Sequence, residues 1–271
     1  MLETRNSRRT IAQIAALIFV LLLGSPEVLA QAPSGFVVGT NSGVAPVVKN
    51  GEVIFKMRRG DCQKRPYGDG RGESDCANGN SRSQLNAREK QRMGRAYEYS
   101  MEIWVDPAFR YNGRGWGKVN YRSRLWIAEW QRSNTIKNHM YEMYLDSAKG
   151  VTFEDKRCFS PNRFGQWNSV VMRVKWSNGA DGFLQVICNG REIYSLKGPN
   201  VMPPGCGEEW KQQCKPELQD LTKPILWSVG PSLKGHGMNY RDFGFPSAFP
   251  PFPEGGITLK MRNLYVGRIR S

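Results

Sequence analysis

Between Arg95 and Val105 the chain alternates strictly. Tyr97, Tyr99, Met101, Ile103 and Val105 fall on one face, and Ala96, Glu98, Ser100, Glu102 and Trp104 on the other. A period of two is that of a strand with one buried face; the apolar residues of a helix recur every three to four positions. The same pattern runs through Glu52 to Arg58, Arg122 to Gln131, His139 to Asp146 and Asn168 to Trp176, where Val170, Met172, Val174 and Trp176 share a face. Leu184, Val186 and Cys188 lead into Asn189-Gly190 and then Arg191, Ile193 and Ser195. Asn-Gly between alternating runs predicts a tight hairpin, and Asn178-Gly179 marks a second turn. Pro224 to Gly230 and Ile257 to Gly267 give two late strands, while only 85–93 and 208–221 read as short helices. Many strands with turn punctuation predict an all-β fold, a two-sheet antiparallel β-sandwich. The length of 271 residues suits one such domain.

Arg5, Arg8 and Arg9 precede the apolar run Ile11 to Leu23, followed by Gly24-Ser25-Pro26 and the small-residue site Val28-Leu29-Ala30. This is the pattern of a secretory signal cleaved after Ala30; the rival is an uncleaved N-terminal anchor, for which the run is short. Ser7-Arg8-Arg9-Thr10-Ile11 loosely resembles a twin-arginine signal. The expected organisation is a signal peptide at 1–30, an arm at 31–50 and the sandwich at 51–271, in a secreted or periplasmic protein with no membrane contact after cleavage. Pro/Phe/Gly-rich 242–256 reads as a long ordered loop, because its four Phe favour burial. Six Cys in an exported chain read as disulfides. Of the possible pairings, local closure favours Cys62–Cys76, Cys158–Cys188 and Cys206–Cys214. Zinc is the rival, but there is no C-x2-C pair and neither of the two His sits at ligand spacing, so no metal or cofactor is expected.

Lys+Arg number 39 and Asp+Glu 24, a balance of +15. Residues 1–30 hold three Arg and two Glu, so the mature chain carries +15 − 1 = +14. Such a charge calls for a polyanionic partner. Export and the lack of a nucleic-acid motif turn the expectation from nucleic acid to acidic polysaccharide. Trp116, Tyr121, Trp126, Trp130 and Trp167 are interleaved with Arg114, Lys118, Arg122, Arg124, Arg132 and Arg163. Aromatic faces stack on sugar rings and Arg forks grip carboxylate or sulfate; the plainer reading makes about half of these Trp core residues and the basic residues a solubilising surface.

Gly60-Asp61-Cys62, Asp75-Cys76-Ala77-Asn78, Ser81-Arg82-Ser83-Gln84-Leu85 and the strand from Tyr97 to Val105 resemble the heparin-lyase-like polysaccharide lyase family. Ile127-Ala128-Glu129-Trp130-Gln131, the run Trp167 to Trp176 with the Gly182-to-Gly190 hairpin, and Leu264-Tyr265-Val266-Gly267 continue the likeness over about residues 50–268. The resemblance implies a concanavalin A-like jelly roll whose concave sheet holds an acidic polysaccharide. It also implies β-elimination: one group neutralises the uronic carboxylate, a His or Tyr base removes the C5 proton, and a Tyr acid protonates the leaving oxygen.

Related lyases carry these groups on segments reading Arg-Ser/Thr-Glu, Gln-x-His and Lys-x-Gly-x-Tyr. Here Arg82 and Ser83 are kept, but Gln84 takes the acidic place. Glu129 stands for the neutralising Gln, Gln131 for the basic His, and Ser228 and Ser232 flank Gly230. A carboxylate at 129 repels a uronate unless protonated or paired, and an amide at 131 is no base. Arg82 suits carboxylate binding. The expected substrate-binding set is Arg82, Gln84, Glu129, Gln131 and His139. His236 and Tyr240, beside a Gly-rich loop, are the candidate base and acid, against an ordinary surface histidine. One face takes both Arg124 and Glu129 only with a bulge, so Glu129 and Gln131 are expected in the groove with Leu125 or Ile127 near it.

Two functions follow: a secreted polysaccharide lyase acting on uronic-acid polymers, or a non-catalytic carbohydrate-binding protein on the same fold that has lost the base. A laminarinase-like hydrolase needs paired carboxylates about 5–5.5 Å apart. Glu142 to Asp146 lacks the usual spacing, and Glu98 and Glu102 lie about 13 Å apart along one strand.

Overall fold

The computed structural model describes residues 32–64, 74–76, 80–111, 125–132, 139–201, 224–233, 252–253 and 255–269, with only the backbone of Arg132 and His139. Two antiparallel sheets form a sandwich. The first has eight strands: β1 (Phe36–Val38), β5 (Leu85–Ala87), β14 (Ile225–Leu233), β7 (Leu125–Arg132), β8 (His139–Asp146), β9 (Gly150–Phe153) and β10 (Lys156–Phe159) in that order, with β4 (Ser81–Arg82) beside β14. The second orders β13 (Arg191–Lys197), β12 (Phe183–Cys188), β11 (Asn168–Lys175), β6 (Ala96–Val105), β15 (Ile257–Arg268), β3 (Glu52–Met57) and β2 (Val47–Lys49).

The alternation predicted for 96–105 is realised residue by residue: Tyr97, Tyr99, Met101, Ile103 and Val105 are buried in the core. Val170, Met172 and Val174 do the same on β11. Asn189 and Gly190 both take positive φ (49° and 78°) and close the β12–β13 hairpin, as a tight turn of the right twist requires. No helix forms at 85–93. Leu85 and Ala87 are buried while Asn86 is not, and the Gln91 backbone pairs with Ile225 in both directions. Sheet partners thus override a weak local preference. The stretch 208–221 lies outside the described residues, and a 3-10 turn at Pro161–Arg163 is the only helical element among them. The arm expected at 31–50 is part of the sandwich. β1 edges the first sheet and β2 the second, covering backbone that would otherwise be open.

Aromatic rings fill the space between the sheets. Tyr99 meets Trp227, Trp130 and Trp176 edge-on at 5.2, 5.7 and 6.4 Å, and Trp130 stacks on Trp227 at 6.2 Å. The Tyr99 hydroxyl accepts from Trp176 Nε1 (3.1 Å) and donates to Gln91 Oε1 (3.2 Å), which satisfies polar atoms that burial would penalise. Trp130 is therefore core, not a sugar platform. Trp167 lies under the Arg262 guanidinium at 4.2 Å, and Trp116 and Tyr121 fall outside the described residues.

Three ion pairs lie on the outer face of the second sheet: Arg173 with Glu98 (2.8 Å), Arg262 with Glu102 (2.5 Å) and Lys260 with Glu52 (3.2 Å). The Arg262 hydrogen bond holds the Glu102 carboxyl below its ordinary range.

Cys62–Cys76 and Cys158–Cys188 are bridged, with Cα atoms 5.0 and 5.3 Å apart; Cys206 and Cys214 lie outside the described residues. Gly230 (φ 113°) passes so close to the Ser83 carbonyl and the Phe55 ring that an added Cβ would strike both. Gly230→Ala should cost about 2–4 kcal/mol through backbone strain plus overpacking. Urea unfolding would measure it, and a loss under about 0.5 kcal/mol, the range of neutral surface changes, would contradict the packing.

Candidate active site on the eight-stranded sheet

Position on β7 is set by two irregularities. Trp126 is opposite Tyr144 and Ala128 opposite Met143, so Ile127 is an extra residue against β8. Val229 and Ser232 flank a matching shift on β14. The bulge lets Leu125, Ile127, Ala128 and Trp130 all join the core while Trp126, Glu129 and Gln131 turn to the outer side. Leu125 and Ile127, expected near the groove, are instead fully buried between the sheets. Arg124 falls outside the described residues.

Pairing across the strands lines up two rows on the outer face. One runs Asn86, Ser228, Glu129, Glu142. The other runs Arg82, Ser232, Trp126, Tyr144, Thr152. Glu129 is 0% exposed, yet it faces away from the core. Its Oε1 accepts from Gln84 Nε2 at 3.4 Å, and its Oε2 accepts from Gln131 Nε2. Gln84 and Gln131 thus converge on the carboxylate between them, as a buried charge requires. Ser42, from the former arm, fixes Gln84 by accepting from its N–H (2.9 Å) and donating to its carbonyl (3.0 Å).

Arg82 is committed. Its Nε lies 2.8 Å from Oδ2 of Asp75, which is fully buried. Asp75 precedes Cys76, so the Cys62–Cys76 bridge holds it there, and Asn80 Nδ2 donates to its Oδ1 at 2.9 Å. Arg82, expected to bind substrate, is thus joined to an internal carboxylate through Nε.

Beside these, the Tyr144 hydroxyl donates to Glu142 Oε2, and Glu154 Oε1 accepts from the Glu142 N–H at 2.8 Å. Ser228 Oγ donates to Asn86 Oδ1 at 2.8 Å. Tyr144 and Asn86 were not singled out from sequence, Asp75 entered only within a motif, and Glu142 only as a poor match to a hydrolase pair. Tyr144 and Glu142 do sit on the polar face of the alternating run 139–146, which is the signal that could have found them. Burial pushes the hydroxyls of Tyr99 and Tyr141 up, holding those core tyrosines neutral. Of the other expected residues, the His139 backbone lies opposite Gln131 on β8, and His236 and Tyr240 are outside the described residues. Among the described residues no cluster of His, Cys, Asp and Glu is arranged to hold a metal.

The amide–carboxylate pair yields a direct test. Gln84→Glu combined with Glu129→Gln keeps the pair with its ends exchanged. Gln84→Glu alone should cost about 3 kcal/mol by setting two buried carboxylates together. The double variant should recover at least half of that, a coupling read from thermal or urea unfolding. Additive losses would contradict the pairing.

No family model matches the sequence, and no curated protein matches it. Solved structures do. The exolytic PL7 alginate lyase of Zobellia galactanivorans is 10% identical with a TM-score of 0.52, covering 90% of this chain and 91% of that one. An endo-β-1,4-glucuronan lyase of the fungus Trichoderma reesei is 11% identical over 91% and 92%, with a TM-score of 0.47. The first likeness establishes a shared fold: the chain is a two-sheet antiparallel sandwich of the jelly-roll kind found in polysaccharide lyases.

Proposed function

We propose that this protein is an exported, secreted or periplasmic, polysaccharide-lyase-like protein. It acts by β-elimination on a uronic-acid-containing polymer laid across the outer face of the eight-stranded sheet. The carrying observation is the Tyr144–Glu142 hydrogen bond, set between the row from Arg82 to Thr152 and the row from Asn86 to Glu142. Elimination needs a group that takes the proton α to the carboxyl and one that returns a proton to the departing oxygen. Tyr144 carries a transferable proton on a phenol that is otherwise buried, and Glu142 accepts from it, so the pair can pass a proton without bulk water. With Gln131 in the usual histidine place, Tyr144 is the described residue best suited to proton transfer. His236 and Tyr240 remain the candidates from the sequence. Gln84 and Gln131 hold Glu129 in two hydrogen bonds, which tempers its repulsion of a uronate. The mature charge of +14 draws a polyanion from solution.

The heparin-lyase-like affiliation belongs to this same reading. Uronate polymers of the alginate class are the substrates it favours, in line with the name of the similar Zobellia galactanivorans structure. One observation favours the second reading, a non-catalytic binder. Arg82, the residue best able to neutralise a uronate, is already paired with Asp75.

Absorbance near 230–235 nm with a panel of polyuronates separates the two. The lyase reading expects unsaturated products whose formation falls about 10²–10⁴-fold in Tyr144→Phe, the usual scale for loss of a general acid or base, with binding retained. Binding without absorbance identifies the binder. Neither binding nor product removes both.

A further inference from the structure

We propose that the chain carries a second site, an arginine-lined cleft that holds the carboxylate or sulfate groups of an acidic saccharide. The inference rests on the polyuronate reading above and adds a place on the molecule that reading does not use. The cleft, about 600 Å³, lies where the edges of the two sheets meet, at β10 and the β12–β13 turn. Its volume is that of an ordinary small-ligand pocket. The Cys158–Cys188 bridge, which ties β10 to β12, lies in its wall, and Arg157, Arg163 and Arg191 line it with Ser160 and Asn189.

Three features make this a cleft for an oxyanion. First, among the described residues no carboxylate lines it, and Arg157 and Arg191 make no ion pair. Acids stand close by in sequence but are used elsewhere: Asp155 pairs with Lys156 at 3.0 Å, and Glu192 accepts from Gln185 at 2.5 Å. Arg173, Lys260 and Arg262 on the outer face of the second sheet, by contrast, have acidic partners. Second, one wall is built. Arg163 Nε donates to Asn168 Oδ1 at 3.2 Å, and Asn189 Nδ2 donates to the same oxygen at 3.0 Å. Asn168 is fully buried, and its Nδ2 donates to the Arg163 and Gln166 carbonyls. Side chains held in this way lose less entropy on binding. Third, the chemistry selects. Guanidinium forks match carboxylate and sulfate in two-toothed geometry. The one aromatic residue in the lining, Phe159, is buried and offers no face for stacking a base, so a nucleic-acid ligand is not what the cleft fits.

Such a site would hold a polymer at a second point and raise its avidity without touching the chemistry on the sheet. The experiment uses the full mature protein with alginate polymer and an alginate hexasaccharide as probes. Arginines are labelled with phenylglyoxal and read individually by mass spectrometry, with and without saturating hexasaccharide. Expected is shielding of Arg157, Arg163 and Arg191 at low salt, lost at high salt. Arg157→Ala with Arg191→Ala should weaken polymer binding at least about tenfold, since two charge-assisted contacts are removed, and leave thermal stability unchanged. If the polymer binds but these arginines label at the same rate and the double variant binds equally well, the cleft is no saccharide site and the sheet-face reading stands. If neither probe binds at all, the polyuronate reading falls and this inference with it.

Discussion

Packing of Trp130 against Trp227 and Tyr99 is the contact on which the arrangement depends. The two tryptophans are cross-strand partners on β7 and β14, stacked between the sheets, and Tyr99 reaches them from the opposite sheet. Side chains in a strand alternate, so fixing Trp130 inward obliges Glu129 and Gln131 to face outward, and fixing Trp227 does the same for Ser228. The polar rows of the outer face are thus a consequence of the aromatic core. The bulge at Ile127 extends the effect by turning Trp126, which strict alternation from Glu129 would point inward, to that outer side.

The candidate site built on this register is internally compensated. Asp75 neutralises Arg82, two glutamine amides hold Glu129, Tyr144 bonds across the rows to Glu142, and Ser228 bonds to Asn86 within its own row. Compared with the lyase segments that the sequence resembles, the acid and the amide at positions 84 and 129 have changed places, and the structure shows that these two side chains touch. In this chain the carboxylate stands on β7 and an amide that holds it comes from Gln84. The same face also carries Gln131 in the place of the basic His, and Ser228 and Ser232 beside Gly230.

Much of the fold was legible because period-two patterning is a direct imprint of one-sided burial. The strand at 96–105 and the Asn189-Gly190 turn needed nothing more than counting. The short edge strands were not, since Val37 or Val47 lies in too brief a run to show a period and pairs only because a sheet edge is already there. Leu85 to Gln91 looked helical for the same reason: its strand character comes from partners distant in sequence. In the site, Glu129 and Gln131 were placed on the correct side, but Leu125 and Ile127 were not, because a bulge is a property of two strands together. The pairing of Arg82 with Asp75 was hidden for a related reason. Nothing local in the sequence says that Asp75, seven residues away and held by a disulfide, lies beneath it.

The central claim is that the outer face of the eight-stranded sheet receives an acidic polysaccharide chain. Hydrogen–deuterium exchange with and without a saturating polyuronate tests it most directly. Slowed exchange concentrated in 125–132, 139–146 and 225–233, with 96–105 and 168–175 unaffected, is the result the account predicts. Protection confined to the second sheet, or none anywhere in the presence of bound polymer, would contradict it.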